Sequence, residues 1–434
     1  MKVLWFTNTA CSAADKLNLK QGSGGGWLRS LEEEVSNRTD VALSICFYSN
    51  IEIAPFRYGN TQFYPVFTQR QRSKASRLKN RLLPKNHEKE ELKSMLHVVE
   101  ISTPDIIHVH GTENNFGLIQ NKVNVPVVFS IQGLLNSISE KYFSGIPYSV
   151  VKRHEGFFRK MIGAGIDRSY KVFTDNARRE KMMLQNATHI MGRTAYDRRI
   201  TRVLAPKSHY YIEHEVLRPA FYEAFWNKET FSPVIQLVTT LGDGLFKGFE
   251  TIASTSEILA KNTSLNFVWN IIGLQENSNT VKLVKSWKHL DFEKLNIKFH
   301  GRLNEIEMVD ILMKSDIYCQ TSHIDNSPNA LSEAMILGMP CIATFAGGTG
   351  SLLRDGHDGI LVQDGDPWVL AGVIIELKKN FQKAVEMSKN ARKMALNRHD
   401  REVISNGLME IYSQILFTHE AFKCSKFESS KGPK

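Results

Sequence analysis

The sequence predicts an α/β protein of two doubly wound, parallel-sheet domains facing one cleft. Three observations predict it. The chain has 434 residues, more than the ~250–300 that a single core usually supports. Strand-like apolar runs come in two series, each separated by stretches long enough for helices. The series break near 222–232, where Phe231-Ser232-Pro233 opens the second. Strands alternating with helices imply parallel pairing with right-handed crossovers, and such sheets bind ligands outside the carboxyl ends of their strands.

The first series reads 2–7, 41–48, 105–110, 126–131, 188–192 and 208–212, and the second 234–240, 266–272, 296–300, 316–320, 340–344 and 359–362. This places one Rossmann-like domain at 1–225 and another at 226–400. Helices are expected over 367–379, 381–396 and 400–416, with 417–434 a polar, disordered tail.

Composition fits a large enzyme, since 42% hydrophobic residues can fill two cores. No apolar run approaches the ~18–20 residues of a membrane-spanning helix, and Met1–Asn8 reads as a strand rather than a signal peptide. The chain is therefore expected in the cytosol. Cys11, Cys46, Cys319, Cys341 and Cys424 form no CxxC pair and no metal-ligand spacing, and their odd number argues against a disulfide framework.

The net charge of +10 is concentrated in the first domain. Segment 69–93 carries nine Lys/Arg against three Glu, and segment 148–181 nine against four acids. In the second segment Val150, Val151, Phe157, Phe158, Met161, Ile162 and Ile166 recur at helical spacing between basic residues, a pattern that suits an anionic inner-membrane surface. The competing reading packs this stripe on the first domain's own core. Without a recognition-helix, zinc-finger or RNA-platform motif, no nucleic-acid partner is expected.

Residues 323–350 carry the densest chemistry. Ser327 suits an N-cap and Pro328 a first helical position, so a helix is expected from 328 to Leu337, ending at Gly338. The amides of Asn329 and Ala330 would then meet an anion at the positive end of the helix dipole. Asp325 and Glu333 add carboxylates able to accept bonds from sugar hydroxyls. Taken alone, Asp325, Ser327 and Pro328 also read as a plain helix cap, and Glu333 as a solvated helix residue.

With Glu333-Ala334-Met335 and Gly338-Met339-Pro340, the chain resembles the family 4 glycosyltransferases. Their signature is Glu, seven residues, Glu, then Ala-Met and Gly-x-Pro, and Asp325 replaces the first Glu. The resemblance implies the GT-B fold, a last helix at 401–416 returning to the first domain, and retention of anomeric configuration. It implies a nucleotide-sugar donor as substrate, with no metal and no other cofactor. By position, Glu333 would hold the ribose and Asp325 the donor sugar.

Other matches follow the same family. Gly22-Ser23-Gly24-Gly25-Gly26 is neither a Rossmann fingerprint nor a P-loop, but its place before Trp27 implies donor contacts for Gly25 and Gly26. Pro104-Asp105-Ile106-Ile107-His108-Val109-His110-Gly111 is an apolar strand, and His110 matches the family's histidine beside the donor sugar, while His108 reads as structural. Lys247-Gly248 matches the family's diphosphate-binding Lys-Gly, with Gly242 where an Arg is usual. Arg302 and Leu303 fall where the family holds the base. Asp364-Gly365-Asp366 spells a metal-binding pattern of another fold but sits in a Gly/Pro turn, and reads as that turn. Arg193, Thr194 and Arg218 remain near the domain junction without an assigned role.

Cleaving the C1–O bond of a nucleotide sugar places negative charge on the departing diphosphate, so fixed donors must favour that charge. Lys247, the glycine loop and the helix at 328 are expected to do so, with Lys247, Asp325, Glu333 and His110 as the catalytic set. Asn326-Ser327-Pro328-Asn329, Arg193-Thr194-x-x-Asp197 and Glu215-Val216-Leu217-Arg218 are similar to a bacterial surface-polysaccharide subgroup. That similarity implies a saccharide or lipid-linked oligosaccharide acceptor at the inner membrane face. A nucleotide-sugar epimerase or hydrolase, or a silent binding module, would keep the same donor site.

Overall fold

The computed structural model describes residues 1–19, 26–68, 87–156 and 165–430. The first domain holds an eight-stranded sheet of β1 (Lys2–Thr7), β2 (Ala42–Ser49), β3 (Phe56–Tyr58), β4 (Thr61–Phe67), β5 (Ile106–His110), β6 (Val127–Ser130), β7 (His189–Gly192) and β8 (His209–Ile212), in the order β3-β4-β2-β1-β5-β6-β7-β8. Only the β3–β4 hairpin pairs antiparallel. The second domain holds a parallel six-stranded sheet of β9 (Ile235–Thr240), β10 (Phe267–Ile272), β11 (Ile297–Gly301), β12 (Ile317–Gln320), β13 (Cys341–Thr344) and β14 (Ile360–Val362), in the order β11-β10-β9-β12-β13-β14.

Every run in the two expected series is a strand. Hairpin β3–β4 lies outside the expected series, and its Pro65 is a residue that strand interiors usually exclude. β3 pairs with β4 only as far as Phe63, so Pro65 lies on an open edge of β4 while Phe47 of β2 flanks its other side.

Helices on both faces explain why the central strands are apolar without alternation. Val3 and Trp5 of β1 point into one core layer with Leu31 and Tyr412, and Leu4 and Phe6 into the opposite layer with Met95 and Phe116. The second domain closes around Trp269, Tyr318 and Phe249.

The last helix, Arg401–Ser430, packs Ile404, Leu408, Tyr412 and Ile415 into the first domain's core. Trp5 Nε1 donates to the Tyr412 hydroxyl at 2.9 Å. Since the helix runs to Ser430, residues 417–430 are helical where a disordered tail was expected over 417–434.

Each sheet reverses its winding once, at β1 between β2 and β5 and at β9 between β10 and β12. Crossovers leave in opposite directions there and open a crevice at the carboxyl ends of the strands. The domains meet nearby: Thr194 Oγ1 donates to Asn326 Oδ1 at 3.0 Å, and Asn326 Nδ2 to the Gln132 carbonyl at 3.3 Å.

Val151 is buried in the second domain's core, and Val150 and Ile166 pack against it. This part of the apolar stripe is therefore covered by the neighbouring domain, neither facing a membrane nor filling the first domain's own core. Phe157, Phe158, Met161 and Ile162, like residues 69–86, lie outside the described residues. Among the described residues, no helix is long and apolar enough to cross a membrane.

Candidate functional site

A cavity of about 300 Å³ lies between the domains at the carboxyl ends of β9 and β12. Leu241, Gly242, Lys247, Asp325, Asn329 and Ala330 line it from the second domain, and Trp27, Gln132 and Arg193 from the first.

Local chain geometry fixes the second-domain wall. Gly248 begins the helix Phe249–Asn262 with φ +79°, and a Cβ there would lie 1.9 Å from the Thr321 carbonyl oxygen. Only glycine fits that approach, which places Lys247 at the cavity. Lys247 Nζ lies 2.7 Å from Asp325 Oδ2. The Asp325 loop is held in turn by Gly347 and Gly348, whose Cβ positions would lie 1.9 Å from the Asp325 carbonyl and 1.8 Å from that of Asn326.

The helix Asn329–Leu337 starts one residue later than expected, with extended Pro328 as its N-cap. Ser327, expected as the cap, makes no capping bond because it precedes the N-cap position. Asn329 and Ala330, the first helical residues, line the cavity. An anion there would meet the positive end of the helix beside Lys247.

The structure brings Arg193 to the same cavity. Its guanidinium stacks 4.3 Å from the Trp27 ring, and Nη1 lies 2.8 Å from Glu215 Oε1, with both side chains almost completely buried. Asp197 fixes the turn by accepting from the Arg193 amide at 2.9 Å and closing a capping box with Thr194. A second cation thus lines the cavity from the first domain. Sequence reasoning singled out Arg193 only as a cation near the junction. Trp27 carried a faint signal as the residue after the glycine loop, and Gln132 carried none.

Glu333 is not on the cavity wall. Arg218 grips it with two bonds of 2.7 Å, from Nε to Oε1 and from Nη2 to Oε2. Burial pushes the Glu333 carboxyl up, and Arg218 opposes that shift. Gly26 opens the helix Gly26–Ser36 against the Arg218 side chain, while Gly25 lies outside the described residues.

His110 sits one layer beneath the wall. It packs edge-on to Trp27 at 6.0 Å and Trp5 at 4.7 Å, and stacks on His108 at 3.7 Å. Neither ring nitrogen has a hydrogen-bond partner among the described residues, and burial holds the ring neutral, well below the usual histidine pKa. His108 is tied at both nitrogens, 2.6 Å from the Tyr412 hydroxyl and 2.6 Å from Ser130 Oγ.

Arg302 is exposed after β11, Leu303 packs on the second core, and neither lines the cavity. Asp364 lies 3.2 Å from His323 Nδ1, and Asp366 caps the helix Pro367–Lys379 by accepting from Trp368 and Val369. Both acids of the turn are thereby engaged.

Residues 238–394 match the family model described as glycosyl transferases group 1. Among curated proteins the chain is similar to phosphatidyl-myo-inositol mannosyltransferase of Mycobacterium leprae, 29% identical over 28% of this chain and 32% of the relative. It is also similar to N-acetyl-alpha-D-glucosaminyl L-malate synthase of Bacillus anthracis, 29% identical over 30% of this chain and 33% of the relative. These matches span about a third of each relative's length. Among solved structures, sucrose-phosphate synthase from Thermosynechococcus elongatus superposes with a TM-score of 0.70 over 96% of this chain and 100% of that one, at 14% identity. Anabaena HepE in complex with UDP and glucose gives 0.61 over 95% and 99%, at 15% identity. The fold is GT-B, two parallel-sheet α/β domains around one cleft.

Proposed function

Because residues 238–394 match the glycosyl transferases group 1, we propose that this protein is a glycosyltransferase that moves a sugar from a nucleotide-sugar donor to a saccharide acceptor. The observation that carries the reading is the convergence of Lys247, Arg193 and the start of the helix Asn329–Leu337 on one cavity. Two cations and a helix N-terminus are what a departing diphosphate requires. In this reading Asp325, whose Oδ2 lies 2.7 Å from Lys247 Nζ, accepts bonds from the donor sugar. The UDP in HepE favours a uridine nucleotide.

In this reading transfer proceeds with retention and without a metal. The engagement of Asp364 and Asp366 as pair and cap supports the second point. Glu333 reaches the donor ribose only by sharing its carboxylate with Arg218. A lipid-linked oligosaccharide acceptor at the inner membrane face, and a role in surface-polysaccharide synthesis, complete the proposal, supported by the basic charge of the first domain.

The test is a thermal-shift panel of UDP-, GDP-, dTDP- and CDP-sugars on the wild type and Lys247→Ala. A ligand at 100 times its dissociation constant stabilises by about 2.7 kcal/mol. Stabilisation by one nucleotide class, lost in the variant, is expected. No response to any nucleotide would remove the donor site and with it the transferase reading. Release of free sugar as the sole product, whatever acceptor is supplied, would favour the hydrolase.

A further inference from the structure

Two carboxylates share one buried imidazole where the domains meet. His323 Nε2 lies 2.6 Å from Glu250 Oε1 and Nδ1 lies 3.2 Å from Asp364 Oδ2, and the ring is almost completely buried. A neutral imidazole carries a single N–H, so one of these contacts would set a lone pair against a carboxylate. Only the imidazolium donates to both. Burial works against that charge, but the hydrogen bonds and charges of Glu250 and then Asp364 outweigh it and raise the ring above the ordinary histidine pKa.

Both donor loops and the first domain rest on this residue. The His323 amide donates to the Phe246 carbonyl at 2.9 Å, which fixes the residue before Lys247. Asp325, two residues after His323, pairs with Lys247. From the first domain a turn sits against the ring: a Cβ on Gly145, at φ +81°, would lie 2.1 Å from Glu250 Oε1 and 2.3 Å from His323 Nε2. Ile146, the next residue, is buried in the second domain's core, so the turn is seated in that domain. Glu250 is itself buried, and its Oε2 has no hydrogen-bond partner among the described residues. Without the imidazolium, the Thr251 hydroxyl at 3.0 Å would face a buried charge alone, a costly state.

We propose, building on the glycosyltransferase reading, that His323 is a positioning residue whose proton controls donor binding. As imidazolium it draws Glu250 and Asp364 together beneath the Gly145 turn and holds the loops of Lys247 and Asp325; on losing the proton it releases them. Among the described residues, Glu250 from the helix Phe249–Asn262 and Asp364 from the turn after β14 are the charged groups that face the ring. Lys247 and Asp325 face each other, and Gly145 brings no side chain. A folded pKa above the unfolded one gives a stabilisation that is complete below about 6.5 and is lost as pH rises through the folded value. Donor binding therefore weakens on the alkaline side.

The test uses the full chain and two separate readouts. The 13Cε1 resonance of His323, identified by its absence from His323→Gln, reads the proton, and the melting shift given by UDP, GDP, dTDP or CDP reads the donor site. Between about pH 7 and 9.5, above the ordinary histidine value of about 6.5, the nucleotide shift of the wild type should fall by half or more along the titration curve of His323. Glu250→Gln removes one carboxylate and should move both curves to lower pH, which a merely structural histidine would not do. His323→Gln should give a reduced shift that no longer follows pH. Should His323→Gln fail to fold, the resonance is the one that Glu250→Gln and Asp364→Asn both move, and the two curves are compared in those variants. A His323 ring already neutral at the start of the titration, a nucleotide shift indifferent to its proton, or curves that Glu250→Gln leaves in place overturn the proposal. A wild type that none of the four nucleotides shifts at any pH overturns the donor reading instead, while the resonance still reports the charge on His323.

Discussion

Lys247 Nζ lies 2.7 Å from Asp325 Oδ2, so the cation proposed to meet the diphosphate and the carboxylate proposed to meet the sugar hold each other. Both side chains are partly exposed, and such a pair contributes at most about 1 kcal/mol to stability. Lys247→Ala should therefore leave the melting temperature nearly unchanged. Its rate of donor consumption should fall by about 10²–10³, the usual effect of losing one preorganised donor to developing charge. Steady-state kinetics beside a melting curve checks both parts.

Arg193→Met should behave differently, because it strands Glu215 in the interior. Removing one partner of a buried ion pair costs about 3–5 kcal/mol, and the double variant Arg193→Met/Glu215→Leu should recover much of it. Nucleotide binding should stay weak in both. Denaturant midpoints and the nucleotide-induced melting shift separate the two effects.

Gly248→Ala should lose stability by about 1–3 kcal/mol, the range for strain at a special backbone position. The clash is with the Thr321 carbonyl, which cannot swing aside as a side chain would. Urea unfolding gives the stability, and the same protein should lose its nucleotide shift as Lys247 moves with the loop.

His108 gives a pH dependence of known sign. Burial first, and Arg193 second, hold its pKa down to about 3, against about 6.5 in the unfolded chain. A folded value below the unfolded one means that the stabilisation is complete above about 6.5 and is lost as pH falls toward about 3. Between pH 7 and 5 the loss is about 2 kcal/mol. His108→Gln should fall less over that interval, read as the change in unfolding midpoint relative to wild type.

Strands such as Val3–Phe6 could be read from the sequence because apolar runs bounded by polar turns leave little choice of element. The β3–β4 hairpin could not, since tolerance of Pro65 depends on where β3 stops. Lys247, Asp325, Asn329 and Ala330 come from neighbouring loops of one sheet and were legible together. Arg193 and Trp27 join them only through the packing of the two domains. The grip of Arg218 on Glu333 spans 115 residues, and no local pattern announces such a pair.

The last helix has a consequence for the order in which the protein is made. Ile404, Leu408, Tyr412 and Ile415 complete the core around Trp5 and Val3, so on the ribosome β1 waits for a helix whose Tyr412 lies 407 residues after Trp5. Through most of synthesis the first domain stands with an open wall, while the second already has all six of its strands. A nascent chain halted at Asp400 should be cleaved by protease in the first domain before the second, and release of the remaining residues should reverse that order.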